Sequence, residues 1–308
     1  MGPHDRSACK TSDPVGHLDG RWAVEALRGT LQALHPGLLV EVVEEIGSTN
    51  AALLADLRAP SVGASPRPCL LVAERQTAGR GRLGRTWHAQ PEASLTFSLA
   101  MPLSQPDLSG LSLAVGVALA QTLDPSTLGS DGRLALKWPN DLWLRDPGAE
   151  GGGRKLGGIL IETTSGNAGR WAVIGVGLNI LPQAQGDFAT GQAWLREIDP
   201  LATPASTLAR AAAALLTALV AFEHHGLDAF RDGFRQRDLL QGQQVTTTLP
   251  AVPEGLAEGI DPTGRLRVRG VDGRLHAVQS GEVSVRPTRP SAGRTHHPGD
   301  VVQMRRPC

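Results

Sequence analysis

Tyrosine is absent from this 308-residue chain, and lysine and asparagine are nearly so. Of 30 basic residues only Lys10, Lys137 and Lys155 are lysine, and Asn50, Asn140, Asn167 and Asn179 are the four asparagines. Three cysteines, Cys9, Cys69 and Cys308, are odd in number and far apart, which suits neither a disulfide framework nor a zinc site. No unbroken apolar run approaches the roughly 18 residues of a membrane span, and the opening MGPHDRSACKTSDP lacks the apolar core of a secretory signal. The expected location is therefore the cytoplasm, without a membrane partner. Thirty Lys+Arg balance 30 Asp+Glu, so no global charge draws the chain to nucleic acid or to an anionic surface. Any anion site must be local.

The scarcity of lysine and asparagine is itself a signal. A solvated surface position tolerates Arg for Lys, whereas a site needing a compact ammonium, or the paired donor and acceptor of an amide, does not. Lys137, Lys155, Asn50, Asn140 and Asn179 all fall in segments with other unusual features, and only Lys10 and Asn167 lie elsewhere.

Residues 1–20 and 289–308 carry no periodicity and read as loose tails. Between them, apolar spacing of three and four predicts helices over 21–34, 51–58 and 107–123. Thr203 and Pro204 supply a cap and a first-turn proline for a long Ala/Leu helix to about His224. Strands are expected at 69–74, 94–101, 134–144, 156–163 and 171–180, the last three too closely spaced for crossover helices and so antiparallel. The fold class that follows is α+β, a mixed and largely antiparallel sheet with helices on one face, over residues 21–238. From 239 to 288 the pattern becomes short alternating strands separated by Asp-Pro, Thr-Gly and Asp-Gly turns, the signature of a small barrel.

Five segments stand out chemically. QTAGRGRLGRTW at 76–87 follows a strand and places backbone N–H groups beside Arg80, Arg82 and Arg85, an arrangement that binds phosphate. It matches neither of the two common Gly-rich nucleotide fingerprints. In KWPND, 137–141, Pro139 breaks a ladder and sets Lys137, Asn140 and Asp141 at a bend. Lys155 precedes Gly157 and Gly158, and Gly175 and Gly177 precede Asn179; glycines inside strands mark a close approach of a ligand or another backbone. Ser48, Thr49 and Asn50 open a helix, where a cap and an anion site can coincide.

STN at 48–50, Q-x-x-GRGRxGRxW at 76–87, KWPNDL at 137–142, KLGGILIE at 155–162 and GVGLN at 175–179, in this order, resemble the catalytic domain of biotin–protein ligases. SGEVSVR at 280–286 is similar to the family's closing segment. The resemblance covers about residues 21–286. It implies a class II synthetase-like catalytic domain followed by an SH3-like barrel. The activity implied is formation of biotinyl-AMP from biotin and Mg-ATP, then transfer of biotin to a lysine of a biotin carboxyl carrier domain. Ser48, Thr49, Asn50 and Gln76 would then bind biotin's rings, with Gly158 nearby. Arg80, Gly81, Arg82 and Lys155 would meet its carboxylate and the α-phosphate. Arg85, Trp87, Asn140, Asn179 and Arg286 would serve the nucleotide, and Asp141 the incoming amine. Metal ligands are not indicated.

Some members of that family carry a DNA-binding module before the catalytic domain. With about 20 residues before the first expected helix, none is expected here, and DNA is not an expected partner. A homodimer through an exposed sheet edge is compatible with the likeness. The alternatives are a lipoate or octanoate transferase, and a regulator that senses biotin without catalysis.

Overall fold

The computed structural model describes residues 15–59, 66–125, 132–166, 169–183, 191–280 and 285–287. Helices α1 (Val15–Trp22) and α2 (Val24–Leu34) lead into strand β1 (Leu39–Ile46), helix α3 (Thr49–Arg58), strands β2 (Cys69–Gln76) and β3 (Ser94–Pro102), and helix α4 (Leu111–Leu123). Strands β4 (Leu134–Lys137), β5 (Asp141–Arg145), β6 (Gly153–Gly166) and β7 (Gly169–Asn179) follow, then helices α5 (Pro204–His225) and α6 (Arg231–Arg237). The seven strands form one sheet in the order β1-β2-β3-β7-β6-β5-β4. Only β1 and β2 run parallel, with α3 as their crossover; every other pair is antiparallel. A second, five-stranded antiparallel sheet contains β8 (Gln244–Thr247), β9 (Glu254–Ile260), β10 (Leu266–Gly270), β11 (Leu275–Val278) and β12 (Val285–Pro287), in the order β11-β10-β9-β8-β12.

Strand alternation splits the large sheet into two unlike faces. Leu95, Phe97 and Leu99 of β3 and Ile174, Val176 and Leu178 of β7 join the main core with α2, α4 and α5. In α4 nearly every residue is apolar and buried, as a helix sandwiched between sheet and helices requires. Helix α5 lays Leu208, Leu215, Leu219 and Phe222 into the same core; Thr203 caps it by accepting from Ser206 N at 3.1 Å, and Pro204 stands at its first turn. The stretch Pro204–Arg237 has the length and hydropathy of a membrane span, but core packing accounts for that apolarity.

The α+β reading holds, with several local departures. Helix α3 lies on the opposite face, packing Leu53 and Leu54 against Leu71, Ala100, Trp171 and Val173. Ordered helix begins at Val15, inside the stretch read as a tail, and Ala23 in a left-handed conformation (φ 47°) separates α1 from α2 where one helix was expected. Strand β1 was not anticipated, because LVEVVEEI sets three glutamates on a half-buried edge strand and so lacks a clean alternation. The expected strand 134–144 is a hairpin: residues 138–140 turn, with a cis Trp138–Pro139 peptide, and Lys137 pairs with Asp141. The tail 289–308 lies outside the described residues, as do Lys10, Asn167, Cys9 and Cys308.

Where the two sheets join, a carboxylate is buried. Leu239 N donates to Leu136 O at 2.9 Å, extending the β4 edge into the linker, and Asp238 Oδ1 accepts from Leu240 N at 2.9 Å. Asp238 Oδ2 has no hydrogen-bond partner among the described residues. Burial pushes this carboxyl up to about 6, against the pull of the Leu240 N–H and the Arg145 guanidinium. Nearby Arg237 is occupied with Leu134 O at 2.8 Å and Asp124 O at 2.7 Å.

With an unfolded value near 4, the folded state binds more protons than the unfolded one between that value and 6, so stability falls as pH rises through this window. The contribution is whole below the unfolded value and lost above about 6. Between about pH 4.5 and about pH 7.5 the wild type should lose about 2 kcal/mol relative to Asp238→Asn, from roughly two pKa units at about 1.4 kcal/mol each less the part already lost at the lower pH. Urea midpoints of both proteins at both pH values measure this; a constant difference would contradict it.

Candidate active site

The face of the sheet opposite the main core is lined by small and polar groups. Ser94, Thr96 and Ser98 of β3 stand opposite Asn179, Gly177 and Gly175 of β7, and Gly177 and Gly175 stand opposite Gly158 and Leu160 of β6. Partnered residues in an antiparallel ladder share a face, so these side chains form one floor. The missing Cβ atoms make room. A Cβ on Gly175 would overlap Asn50 Oδ1, and one on Gly177 would lie 2.5–2.9 Å from the Trp87 indole.

At one end of the floor, Ser48 caps α3, its hydroxyl accepting from Ala51 N at 3.4 Å. Thr49 N donates to Gln76 Oε1 at 2.8 Å, and Thr49 Oγ1 is 3.2 Å from the same oxygen. Asn50 is buried with its Nδ2 donating to Leu160 O at 3.2 Å and Glu162 Oε2 at 2.9 Å, while Ser98 Oγ donates to its Oδ1 at 2.6 Å. Its amide is thus committed to the sheet rather than turned into the cleft.

The Arg/Gly loop closes on itself above the floor. Thr77 N and Ala78 N donate to Ile46 O (3.0 Å) and Gly47 O (2.8 Å), Gly81 N to Arg85 O (2.7 Å), and Trp87 N to Gly79 O (2.9 Å). Leu83 at the tip is left-handed (φ 56°) and exposed. Arg80 and Arg85 face solvent, and Arg82 is half-buried, donating to Asn140 Oδ1 at 2.9 Å. Burial holds the Arg82 guanidinium below its ordinary value, with Asp141 pulling it back up and Arg85 pushing it down. The Trp87 indole N–H is buried and without a partner among the described residues.

At the other end, Asn140 is fixed by Nδ2 donating to Ile159 O at 2.8 Å, and its own carbonyl accepts from Ile159 N at 2.9 Å. Lys155 Nζ donates to Asp141 Oδ1 at 2.8 Å. A β-bulge explains this meeting. Leu142 pairs with Gly157 but Trp143 with Lys155, so the extra residue, Leu156, shifts the parity of β6. Lys155 thereby joins Gly158 on the cleft face, where a Cβ on Gly158 would sit 3.3 Å from Asp141 Oδ1 and 3.6 Å from Lys155 Nζ.

Asn179 borders the cleft but is engaged, donating to Ala193 O at 3.1 Å and accepting from Gln183 Nε2 at 2.9 Å. Lys137 pairs with Asp141 and so lies on the same face of the sheet, but it is buried, with its ammonium 4.3 Å from the Trp143 ring centre. The Arg286 side chain lies outside the described residues; its strand β12 runs against the Glu150–Gly152 turn that leads into Arg154 and Lys155. Ser98 and Glu162 escaped sequence reasoning, although the polar alternation of Ser94, Thr96 and Ser98 in an apolar strand was readable. Arg154, in the same motif as Lys155, turns away to Asp146 (2.9 Å) and Glu197 (2.6 Å) and anchors the loop.

Fold and cleft together define a protein ligase of the biotin/lipoate type. The model of the biotin/lipoate A/B protein ligase family matches residues 44–179, and that of the biotin protein ligase C-terminal domain matches 241–286. The chain is 34% identical over 249 residues to the biotin–[acetyl-CoA-carboxylase] ligase of Mycobacterium tuberculosis, a match spanning 79% of this chain and 88% of that one. It is 33% identical over 254 residues to the bifunctional ligase/repressor BirA of Escherichia coli, spanning 80% and 74%. Its fold is shared with the biotin protein ligase from Aquifex aeolicus in complex with biotin and ATP: TM-score 0.66, 24% identity, 81% of this chain and 99% of that chain. The chain belongs to the biotin protein ligase family.

Replacing Gly177 by Ala forces the Trp87 indole off the floor, because overpacking of this kind costs about 1–3 kcal/mol and the loop can yield where the sheet cannot. Tryptic cleavage after Arg82 should accelerate by about ten-fold or more while the global unfolding midpoint barely moves, since only a local closing equilibrium is weakened. Unchanged cleavage would show that Trp87 does not hold the loop down.

Proposed function

We propose that the cleft activates biotin with ATP as an acyl-adenylate and hands it to a lysine of a biotin carboxyl carrier domain. The chain is an ATP-dependent ligase of the biotin–[acetyl-CoA-carboxylase] type. The observation that carries the reading is convergence: on one floor stand the Thr49–Gln76 pair, the Arg82–Asn140 pair and the Lys155–Asp141 pair. Thr49 and Gln76, with Ser48, receive the fused rings. Arg80, Gly81 and Arg82 fold over the carboxylate and α-phosphate, beside Lys155. Trp87, Asn140, Asn179 and Arg85 border the nucleotide, and the family likeness assigns Arg286, in β12, to it as well.

The first step is an in-line displacement. A carboxylate oxygen of biotin forms a bond to the α-phosphorus, the bond to the bridging oxygen breaks, and pyrophosphate leaves. Cationic groups fixed beforehand stabilise the charge on the non-bridging oxygens without reorganisation. In the second step the acceptor's neutral amine attacks the acyl carbon and AMP departs. In this reading Asp141, which accepts from Lys155, takes the amine's proton. No protein nucleophile is needed. Among the described residues no group of three His, Cys, Asp or Glu side chains could hold a metal alone. Mg²⁺ characteristically uses one or two carboxylates plus substrate phosphates, which fits Asp141 as the cleft's carboxylate; bound there it would neutralise phosphate charge. The zero net charge supports an enzyme that works without DNA.

Lys155→Arg tests the assignment. A guanidinium is wider than an ammonium and would have to fit between Asp141 and Gly158. Misplacing one stabilising donor costs about 10² to 10³ in rate, so biotin-dependent exchange of labelled pyrophosphate into ATP should fall at least about 100-fold. Lys137→Arg, whose ammonium packs on the Trp143 ring, should be milder. Lys155→Arg within a few-fold of wild type would remove this lysine from the mechanism.

A further inference from the structure

We propose that Glu162 and Ser98 are positioning residues that fix the hydrogen-bond polarity of the ring pocket, making the Thr49 hydroxyl an acceptor for a ligand N–H. The proposal rests on the reading above that Thr49 and Gln76 meet the ring system. It concerns two residues that belong to none of that reading's contacts.

The polarity follows from counting hydrogens. The Glu162 carboxylate oxygen Oε2 and Leu160 O, 2.9 and 3.2 Å from the same atom of Asn50, both accept, so that atom is the amide nitrogen. The amide oxygen therefore faces Ser98, and at 2.6 Å the single Ser98 hydrogen is spent on it. Ser98 Oγ is left as an acceptor, 2.7 Å from Thr49 Oγ1. The other neighbour of that hydroxyl, Gln76 Oε1 at 3.2 Å, is also an acceptor, because it receives Thr49 N–H at 2.8 Å. Thr49 has one hydrogen and two acceptors beside it, so the hydrogen points inward and a lone pair points to the cleft.

Gln76, its oxygen taken, offers its Nε2 hydrogens. The pocket thus presents one acceptor and one donor side by side, the complement of an N–H/C=O edge such as that of a cyclic urea. A ring offering acceptors alone leaves the Thr49 lone pair unmet. Burial keeps the relay from being rearranged by water: Thr49, Asn50 and Ser98 are 4%, 3% and 0% exposed. The absence of a Cβ at Gly175 is what lets Asn50 reach down to it.

The test is calorimetric titration of the full chain with biotin in the absence of nucleotide. Thr49→Ala, Ser98→Ala and Glu162→Leu should each weaken biotin by about ten-fold, the scale of one hydrogen bond to a buried group. Glu162→Gln, which keeps an oxygen for Asn50, should stay within about two-fold on the same scale. Ser98→Ala combined with Thr49→Ala should bind no worse than Thr49→Ala alone, because residues in one relay are non-additive. ATP affinity should not change in Ser98→Ala or Glu162→Gln, which separates a polarity effect from general loosening. Ser98→Ala removes one oxygen and its melting temperature verifies the fold should Glu162→Leu fail to fold. If Thr49→Ala weakens biotin while Ser98→Ala does not, or if their effects add, the relay is wrong and the pocket stands. If Thr49→Ala leaves biotin binding unchanged, both fall.

Discussion

The site depends on a constraint in three adjacent strands: side chains on one face must be small or paired while those on the other fill a core. In β3 the sequence alternates Ser94, Thr96 and Ser98 with Leu95, Phe97 and Leu99, and β7 alternates Gly175, Gly177 and Asn179 with Ile174, Val176 and Leu178. Glycine in a strand gives up packing and costs backbone entropy, so two on one face are stable only where something else fills the space. Here Asn50 from α3 and Trp87 from the Arg/Gly loop do so. The hydroxyls follow the same logic, since a buried polar group is costly unless bonded: Thr96 Oγ1 donates to Ala73 O at 2.9 Å and Ser98 to Asn50. The floor is polar and rigid together, which a site that must recognise a ring and restrain a reactive anhydride needs.

Charge is distributed just as locally. A net charge of zero hides a cleft where Lys155 and Arg82, with Arg80 and Arg85 at its mouth, face the carboxylate of Asp141. That balance favours a polyanion over solvent without making the surface attractive to anions generally. The bulge at Leu156 is part of this arrangement. Without it Lys155 would share a face with Gly157, whose own position is filled from β7 by Gly177 O and Leu178.

Much of this was readable in the sequence, for identifiable reasons. Scarcity of lysine and asparagine led to Lys155, Asn140 and Asn50, and glycines inside strands led to the floor. The same scarcity also led to Lys137, whose ammonium serves Trp143 instead, because burial against an aromatic ring preserves a residue type as effectively as catalysis does. What could not be read is long-range. Glu162 gains meaning from Asn50, 112 positions away, and the KWPND turn from partners on other elements. Strand β1 and the hairpin at 138–140 were missed because an edge strand need not alternate and a turn inside an apolar run looks like a bend.

The second sheet enters the site from behind that turn. Trp138, buried, donates its indole N–H to Gly264 O at 2.9 Å, and Ser112 of α4 donates to Pro139 O at 3.0 Å. Gly264 in turn packs against Gly110 and Leu227, closely enough that a Cβ there would meet both at 3.1 Å. The turn is therefore held on its rear by the small sheet and by α4, while its front holds Asn140 against Arg82 and Asp141 against Lys155. Displacing the small sheet would free Trp138 and, through one short turn, loosen both front pairs. A buried indole stripped of its acceptor costs about 1–3 kcal/mol. That is comparable to what a donor contributes in the cleft, so the small sheet is energetically part of the site even where none of its side chains reaches the substrate.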